Sequence, residues 1–205
     1  MKITSIEQLE SVYGKAVERA YWKEIDYIST HYQQFIEASP FLILATYGEK
    51  GVDCSPKGDP AGFVKVLDEK HLLIPDRRGN NRLDSYRNII ANPKVGVIFL
   101  VPNVGESIRV SGRAEILIDK ELCQLFSMQG KPASSVLKIK VDRVFFQCQK
   151  AIARSKIWDA TTYGERNELP SAGDMVKYFA ERHGIKFDGA AYDDEYPEHL
   201  KKTIY

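Results

Sequence analysis

The chain has 205 residues, of which 43% are hydrophobic, 11% aromatic and 28% charged, so wholesale disorder is excluded and one folded domain with extensions is expected. Its 29 basic and 28 acidic residues leave a net charge of +1, which excludes a strong overall attraction to nucleic acid or to an anionic membrane. The longest apolar run, residues 95–101, has the length of a strand and falls far short of the roughly 20 residues that cross a bilayer.

The cysteines and histidines predict neither a disulfide framework nor a metal site, because they are scattered and form no CxxC or HExxH pattern. They are Cys54, Cys123, Cys148, His31, His71, His183 and His199. The first ten residues, MKITSIEQLE, lack the apolar core of a secretory signal. Together these features predict a reduced, cytoplasmic protein.

Residues 1–40 are predicted to form a helical extension of the domain. Ser5 with Gln8 resembles a capping box. A second helical pattern stops before Ser39 and Pro40, and its amphipathic face predicts a helix that covers an open face of the domain. The apolar residues of that pattern are Ile28, Tyr32, Phe35 and Ile36.

Residues 41–160 are strand-rich and are predicted to form the central domain. Six or seven short strands, mostly in hairpins, predict a small antiparallel barrel, with the long strand over 106–118 bent at Gly112. A helix that ends at Asn92 and Pro93 interrupts the strands, and its apolar face is formed by Leu83, Tyr86, Ile89 and Ile90. Asp119 is the predicted N-cap of another short helix. The fold class is therefore mainly β with helical extensions (α+β).

Residues 161–205 are predicted to form a helical C-terminal extension of the same domain. Within it, a helix is predicted to end at Gly184. The acidic-then-basic segment that follows is either a surface tail or a helix that packs on a partner.

The stretch 74–83, IPDRRGNNRL, is the most informative candidate for a binding site. A strand ends, a basic loop follows and a helix begins, so the free N–H groups of the first helical turn would form an anion site. Arg82 can bind a phosphate in bidentate fashion, and Asn80 or Asn81 can cap the helix or donate to an oxygen. The loop's other positive charges are Arg77, Arg78 and Arg87. The alternative is a solvated turn with an asparagine cap; the GxGxxG and P-loop motifs are both absent from the sequence.

Two features outside this loop could also contact a ligand. Lys65 lies within the apolar strand GFVKV and faces either solvent or a bound anionic group. Arg154 and Trp158 are four residues apart and are predicted to share a helix face that could stack on a flat heteroaromatic ring. The alternative is an exposed helix with Trp158 in the core.

Together these stretches resemble the pyridoxamine 5′-phosphate oxidase-like flavoproteins, which bind FMN on a split β-barrel. The resemblance covers residues 41–159, and its most specific part is DPAGFVKVLDEKHLLIPDRRGNNRLDSYRNIIANPKVGVIFLVP. SPKGDPAGFV, IPDRRGNNRLDS and RSKIWD are similar to a subgroup described as FMN-dependent or flavin-nucleotide-binding proteins. The resemblance implies an antiparallel Greek-key split barrel, FMN as the cofactor, and a homodimer with FMN at the subunit interface.

The resemblance also implies which residues surround the flavin. Those along its edge are Phe63, Val64, Lys65 and Val66, and those at the ring or the ribityl chain are Pro75 and Asp76. The phosphate loop is Asn80, Asn81 and Arg82, and the polar residue near the pyrimidine ring is Ser107. The candidates contributed by the second subunit are Lys131, Arg154, Ser155 and Trp158.

Two departures from the oxidase itself concern the substrate. The phosphate loop has Asn-Asn-Arg where the oxidase has a Ser-Arg-Lys type of run, and the C-terminal substrate motif of the oxidase is not evident in this chain. The resemblance therefore supports FMN without supporting pyridoxamine phosphate as the substrate.

The sequence thus predicts an FMN-dependent oxidoreductase that moves a hydride or electrons between the flavin and a small molecule. A non-catalytic flavin-binding or storage protein would have the same sequence features. A related barrel that holds the deazaflavin F420 or haem is a third interpretation, although His71 is poorly placed as a haem ligand. The charge balance argues against nucleic acid as a partner.

Overall fold

The computed structural model describes residues 2–205, which form a seven-stranded antiparallel sheet with helices before, between and after its strands. The strands are β1 (Phe41–Gly48), β2 (Gly51–Gly58), β3 (Lys65–Asp68), β4 (His71–Pro75), β5 (Lys94–Leu100), β6 (Ser107–Leu117) and β7 (Val136–Gln147). The helices are α1 (Ile6–Tyr13), α2 (Arg19–Trp22), α3 (Thr30–Ala38), α4 (Asp84–Ala91), α5 (Lys120–Gln124), α6 (Lys150–Ser155), α7 (Ala172–Arg182) and α8 (Gly189–Thr203). None of the helices in this part of the chain is long and apolar enough to cross a membrane.

The sheet is a barrel with a split between its two ends. The strand order is β2-β1-β5-β6-β7-β4-β3, and each neighbouring pair is antiparallel. Within residues 2–205 the end strands β2 and β3 are not paired with each other. Side chains cross the split instead: Lys57 Nζ on β2 lies 3.2 Å from Oδ1 of Asp76, the residue after β4. The predicted α+β class and split barrel are confirmed.

The barrel core is built from alternate residues of the central strands, as the apolar patterns predict. The largest fully buried side chains include Phe99, Leu42, Leu44, Leu72, Ile74, Ile108, Leu137 and Ile139. Helix α3 covers one side of this core, as predicted, because Ile36 is fully buried while Tyr32 and Phe35 pack at the edge. The Oγ of Ser29 accepts from the N–H of Tyr32 and caps this helix.

Gly112 lies where the pairing of β6 with β7 shifts by one residue, so the predicted bend is a β-bulge. Ser111 pairs with Arg143, while Gly112 pairs with Val141. A Cβ atom at Gly112 would lie 2.2 Å from the main-chain oxygen of Lys140, so this position requires glycine.

The C-terminal extension contains two packed helices. The acidic-then-basic segment, which the sequence leaves as a surface tail or a helix on a partner, forms α8 and packs on α7 of its own chain. Helix α7 ends where predicted, at His183 and Gly184, the latter with φ of +71°. Helix α8 packs on α7 at a close contact: a Cβ at Gly173 would lie 2.0 Å from the main-chain oxygen of Gly189. After α8 the chain returns to the barrel, where the Tyr205 hydroxyl donates to Asp59 at 2.5 Å.

Candidate functional site

A cavity of about 580 Å³ lies at the split, between β2 and the segment that runs from the end of β4 into α4. Six of the sequence-predicted site residues line it, namely Phe63, Pro75, Asp76, Asn80, Asn81 and Arg82. The volume is in the range of cavities that hold small molecules and cofactors. The split therefore creates a candidate site large enough for a small molecule or cofactor.

One wall of the cavity is the inward face of β2. Side chains alternate along this strand, and the half-buried positions that line the cavity include Asp53, Ser55 and Lys57. Sequence reasoning gave these three residues no role, although Lys57 lies in the motif SPKGDPAGFV. Polar residues at every second position of a strand indicate a polar inward face, and this signal could have identified the wall.

The opposite wall is the loop between β4 and α4, whose backbone departs from the prediction. Helix α4 begins at Asp84, and its N-cap is Leu83, with φ of +55° and no side-chain cap. The asparagine cap, one of the alternatives that the sequence leaves open, does not form, because Oδ1 of Asn80 instead accepts from the N–H of Arg82 at 3.1 Å. Asn81 also has positive φ, at +57°. A leucine in the left-handed region is strained, and such strain is concentrated at ligand-binding loops.

The helix that follows differs in part from the apolar face predicted for it. Ile89 is buried and Tyr86 is half-buried, as a core face requires. Leu83 precedes the helix and Ile90 is 77% exposed, so neither belongs to the buried face.

The cations of the cavity differ in their partners. Lys57 pairs with Asp76 across the split, and Arg82 pairs with Asp84 at the start of α4. Arg82 lowers the pKa of Asp84 through this hydrogen bond. Arg78 lines the cavity and makes no ion pair within residues 2–205. The first turn of α4 and Arg78 are thus positive groups without a side-chain acceptor in the described structure.

Arg77 belongs to a separate network that fixes the beginning of the loop. Its Nε donates to Oδ2 of Asp59 at 2.6 Å, and its Nη1 donates to the main-chain oxygen of Phe126. The side chain of Asp59 is 2% exposed and also accepts from the hydroxyl of Tyr205. Asp59 raises the pKa of Tyr205 through that hydrogen bond.

Tyr86 places an unpartnered polar atom in the wall of the cavity. Its hydroxyl is buried and has no hydrogen-bond partner within residues 2–205. Burial, together with the nearby Asp76 carboxylate, raises the pKa of Tyr86. The Nζ of Lys57 lies 5.1 Å from the centre of its ring. A buried hydroxyl without a partner is costly.

The remaining predicted residues lie outside the lining of this cavity in the described structure. Val64 is fully buried in the core, and Val66 packs against that core. Lys65 is exposed, with its Nζ 5.8 Å from the ring centre of Phe126. Ser107 is buried at the start of β6, so its contact with a ligand stays a prediction.

The candidates for a second subunit also lie apart from the cavity. Arg154 and Ser155 are exposed on α6. The predicted shared face of Arg154 and Trp158 is wrong, because α6 ends at Ser155 and Lys156 has left-handed φ of +52°. The Nε1 of Trp158 donates to Val104 at 3.0 Å, and Lys131 lines a neighbouring cavity.

The family of the chain follows from a comparison with family models. The model for pyridoxamine 5′-phosphate oxidase matches residues 28–148, which is more than half of the chain, so the chain belongs to this family. The match contains the whole candidate site and leaves α7 and α8 outside it. No curated protein matches the chain.

Solved structures with a similar sheet include three bacterial proteins. HupZ from Group A Streptococcus is 20% identical, with a TM-score of 0.49 over 59% of this chain and 94% of its own. General Stress Protein 26 from Bacillus anthracis is 17% identical, with a TM-score of 0.43 over 55% and 88%. An FMN-binding protein from Syntrophomonas wolfei is 16% identical, with a TM-score of 0.43 over 56% and 82%.

Proposed function

We propose that the cavity at the split binds FMN and that the protein is an FMN-dependent oxidoreductase acting on a small molecule. One observation carries the proposal. In a chain of the pyridoxamine 5′-phosphate oxidase family, a cavity of about 580 Å³ is bounded by a basic loop and by a helix start without a side-chain cap.

The phosphate of FMN fits the loop end of the cavity. A dianion there would meet the free N–H groups at the start of α4, the amides of Asn80 and Asn81, and the guanidinium groups of Arg78 and Arg82. Arg82 is 80% exposed, so its side chain is free to turn from Asp84 to a phosphate. The carboxylate of Asp84 would otherwise oppose an anion at this helix start.

The flavin ring fits the inner end of the cavity. Phe63 and Pro75 supply buried apolar surface, and Tyr86 lines the same cavity. Bound FMN would supply hydride and electron transfer, while the protein supplies binding, orientation and charge. Lys57 adds a positive charge that favours electron uptake by the ring, and Asp76 holds its ammonium in place.

We propose further that the protein is a homodimer whose second copy completes the cofactor site. The resemblance to this family implies that FMN lies at a subunit interface. The candidates for the second subunit, Lys131, Arg154, Ser155 and Trp158, lie outside the cavity of their own chain, so their predicted contacts would come from the partner copy. Light scattering on the protein as it elutes from a size-exclusion column should give twice the mass of one chain, which is 23.3 kDa. A monomer that binds FMN at full occupancy would contradict the dimer and leave the FMN proposal standing.

The experiment that tests the function combines a spectrum with turnover. The purified protein should be yellow and should release FMN, identified by mass, when it is denatured. NADH or NADPH should then reduce the bound flavin rapidly, and an added acceptor should reoxidise it. Release of F420 or haem would replace FMN as the cofactor. If neither NADH nor NADPH reduces the bound FMN, or if no tested acceptor reoxidises the reduced flavin, flavin storage would be favoured over catalysis.

A further inference from the structure

The outward surface of β5, β6 and β7 around Lys94 and Lys140, the basic face, carries like charges side by side. Lys94 on β5 lies directly opposite Arg113 on β6, and Arg113 lies opposite Lys140 on β7. Like charges in this arrangement destabilise a sheet. The outward cations of these strands are Lys94, Arg109, Arg113, Lys138, Lys140 and Arg143, and the outward carboxylates are Glu115 and Asp142. In a chain with a net charge of only +1, such a local excess of cations attracts an anionic partner.

The two lysines of this row are not neutralised within the chain. Arg113, between them, has Asp142 at 4.0 Å as its partner and is not one of the expected contacts. Lys94 and Lys140 are exposed and form no ion pair within residues 2–205. Their ammonium groups are therefore available to the carboxylates of another chain.

Helix α8 carries the opposite charge on a surface that its own chain leaves uncovered. Four carboxylates lie close together in its sequence, on Asp193, Asp194, Glu195 and Glu198. Residues 194–202 are all exposed, including Tyr196 at 40% and Leu200 at 43%. This stretch is more than two helical turns long and gains no tertiary packing, which supplies most of the stability of helices in proteins. A partner would supply that packing.

Two of the α8 carboxylates also lack a cation within the chain. Asp193 accepts from a main-chain N–H at the start of α7, and Glu198 pairs with Lys201 at 2.6 Å. Asp194 and Glu195 form no ion pair within residues 2–205, where no ion pair joins α8 to the basic face either. One chain thus has two complementary charged surfaces that do not neutralise each other.

We infer that the exposed part of α8 in one copy docks on the basic face of a second copy. The carboxylates of Asp194 and Glu195 would meet the two free lysines of that face. The side chains of Tyr196 and Leu200 would be covered in the same contact. In a two-fold dimer the contact occurs twice, because each copy supplies one helix and one face. The inference rests on the homodimer proposed above and names two of the surfaces that form it.

Co-expression of two charge-reversed chains tests this inference. One chain carries Lys94→Glu with Lys140→Glu, and the other carries Asp194→Lys with Glu195→Lys. Each homodimer has like charges at both contacts and should dissociate about tenfold more readily than the original dimer, or more. In the mixed dimer both contacts join opposite charges. Native mass spectrometry should therefore find about nine tenths of the dimers mixed, instead of the statistical half.

The matched control replaces the first chain by one with Lys15→Glu and Arg19→Glu, which makes the same change of net charge at exposed positions before the sheet. Co-expressed with the α8 variant, it should give the statistical half of mixed dimers, because its basic face is unchanged. A control that also gives nine tenths would assign the effect to net charge and overturn the inference.

The inference is also overturned if the charge-reversed pair gives only the statistical half of mixed dimers. If, in that case, a single-stranded oligonucleotide binds the original protein and not the Lys94→Glu, Lys140→Glu variant, the basic face belongs to a polyanion instead. A monomeric original protein would overturn the inference together with the homodimer. The absorbance of flavin in the same samples reports separately on the proposed cofactor.

Discussion

The two ends of the basic loop carry the same charge in opposite surroundings. Arg77, at the start, is 17% exposed and donates to a buried carboxylate on Asp59 and to a main-chain oxygen. Arg82, at the other end, is 80% exposed and pairs with Asp84 beside it. The first arginine therefore holds the loop, and the second is free to hold a ligand. Positive charge near a cavity is therefore not by itself evidence of binding.

The largest expected effect is on stability, at the fixed end of the loop. Arg77→Ala should lower the free energy of unfolding by about 3–5 kcal/mol, because it leaves the buried carboxylate of Asp59 without its cation. Urea unfolding followed by circular dichroism measures this loss. Arg113→Ala is the control, since that arginine is half-exposed and lies 4.0 Å from Asp142, and its change should be near zero. Equal midpoints for the two variants would contradict the assigned role of Arg77.

The next effect is on binding, at the free end of the loop. Arg82→Ala should weaken FMN binding by about 10- to 100-fold, because a charge-assisted hydrogen bond to the phosphate is lost. Its unfolding midpoint should stay that of the original protein, because an exposed ion pair adds little stability. Quenching of FMN fluorescence measures the affinity. Unchanged affinity for FMN would remove Arg82 from the site and erase the contrast with Arg77.

Tyr86→Phe tests the buried hydroxyl in the wall of the cavity. Removing a buried hydroxyl that has no partner should raise the stability of the FMN-free protein by about 1 kcal/mol. The same variant should bind FMN as tightly as the original protein, because a hydroxyl without exposed surface does not contact the ligand. Thermal unfolding with and without FMN measures both quantities. A less stable FMN-free variant would show that the hydroxyl already has a partner.

The pKa of Tyr86 adds a pH dependence to this prediction. Burial raises that pKa in the folded state above the unfolded value of 10.0, with Asp76 adding to the shift. Below pH 10 the tyrosine is protonated in both states and its contribution to stability is fully present. Above pH 10 the unfolded chain loses its proton first, so stability falls as pH rises. Tyr86→Phe should make this alkaline fall shallower, and an unchanged slope would contradict the shift.

The smallest expected effect is on stability, through the hydrogen bond from Tyr205 to Asp59, the partner of Arg77. Tyr205→Phe removes one of the two hydrogen bonds to Asp59 and should cost about 0.5–1.5 kcal/mol of stability. Tyr178→Phe, which removes an exposed hydroxyl on α7 that accepts from Arg182, is the matched control. Indistinguishable urea midpoints for both variants would mean that Arg77 alone holds Asp59.

Most of the fold could be predicted from the sequence, because its signals are local. Alternating apolar residues marked the strands, Gly112 marked the bulge, and Gly184 marked the end of α7. The start of α4 could not be predicted, because Asn80 bonds within its own turn instead of capping the helix. A side chain that can satisfy either of two nearby N–H groups leaves the choice to the rest of the loop.

The site could be predicted only in part, because the roles of its side chains depend on partners that are far away in the sequence. Arg77 and Arg82 are equivalent in the string RRGNNR, and the distant partners Asp59 and Phe126 distinguish Arg77. The role of Lys57 was likewise hidden, since its partner Asp76 lies across the split of the barrel. Pairing between residues so far apart is set by the folded chain and leaves no periodic signal in the sequence.

The most direct test of the account compares FMN with riboflavin, which lacks only the phosphate, in titrations of the cofactor-free protein. FMN should bind tighter than riboflavin by on the order of 100-fold or more, because the loop and the start of α4 contact the phosphate. Arg82→Ala should remove much of this difference, and Arg113→Ala should keep it. Equal affinities for FMN and riboflavin in the original protein would contradict the phosphate site and, with it, the proposed function of the cavity.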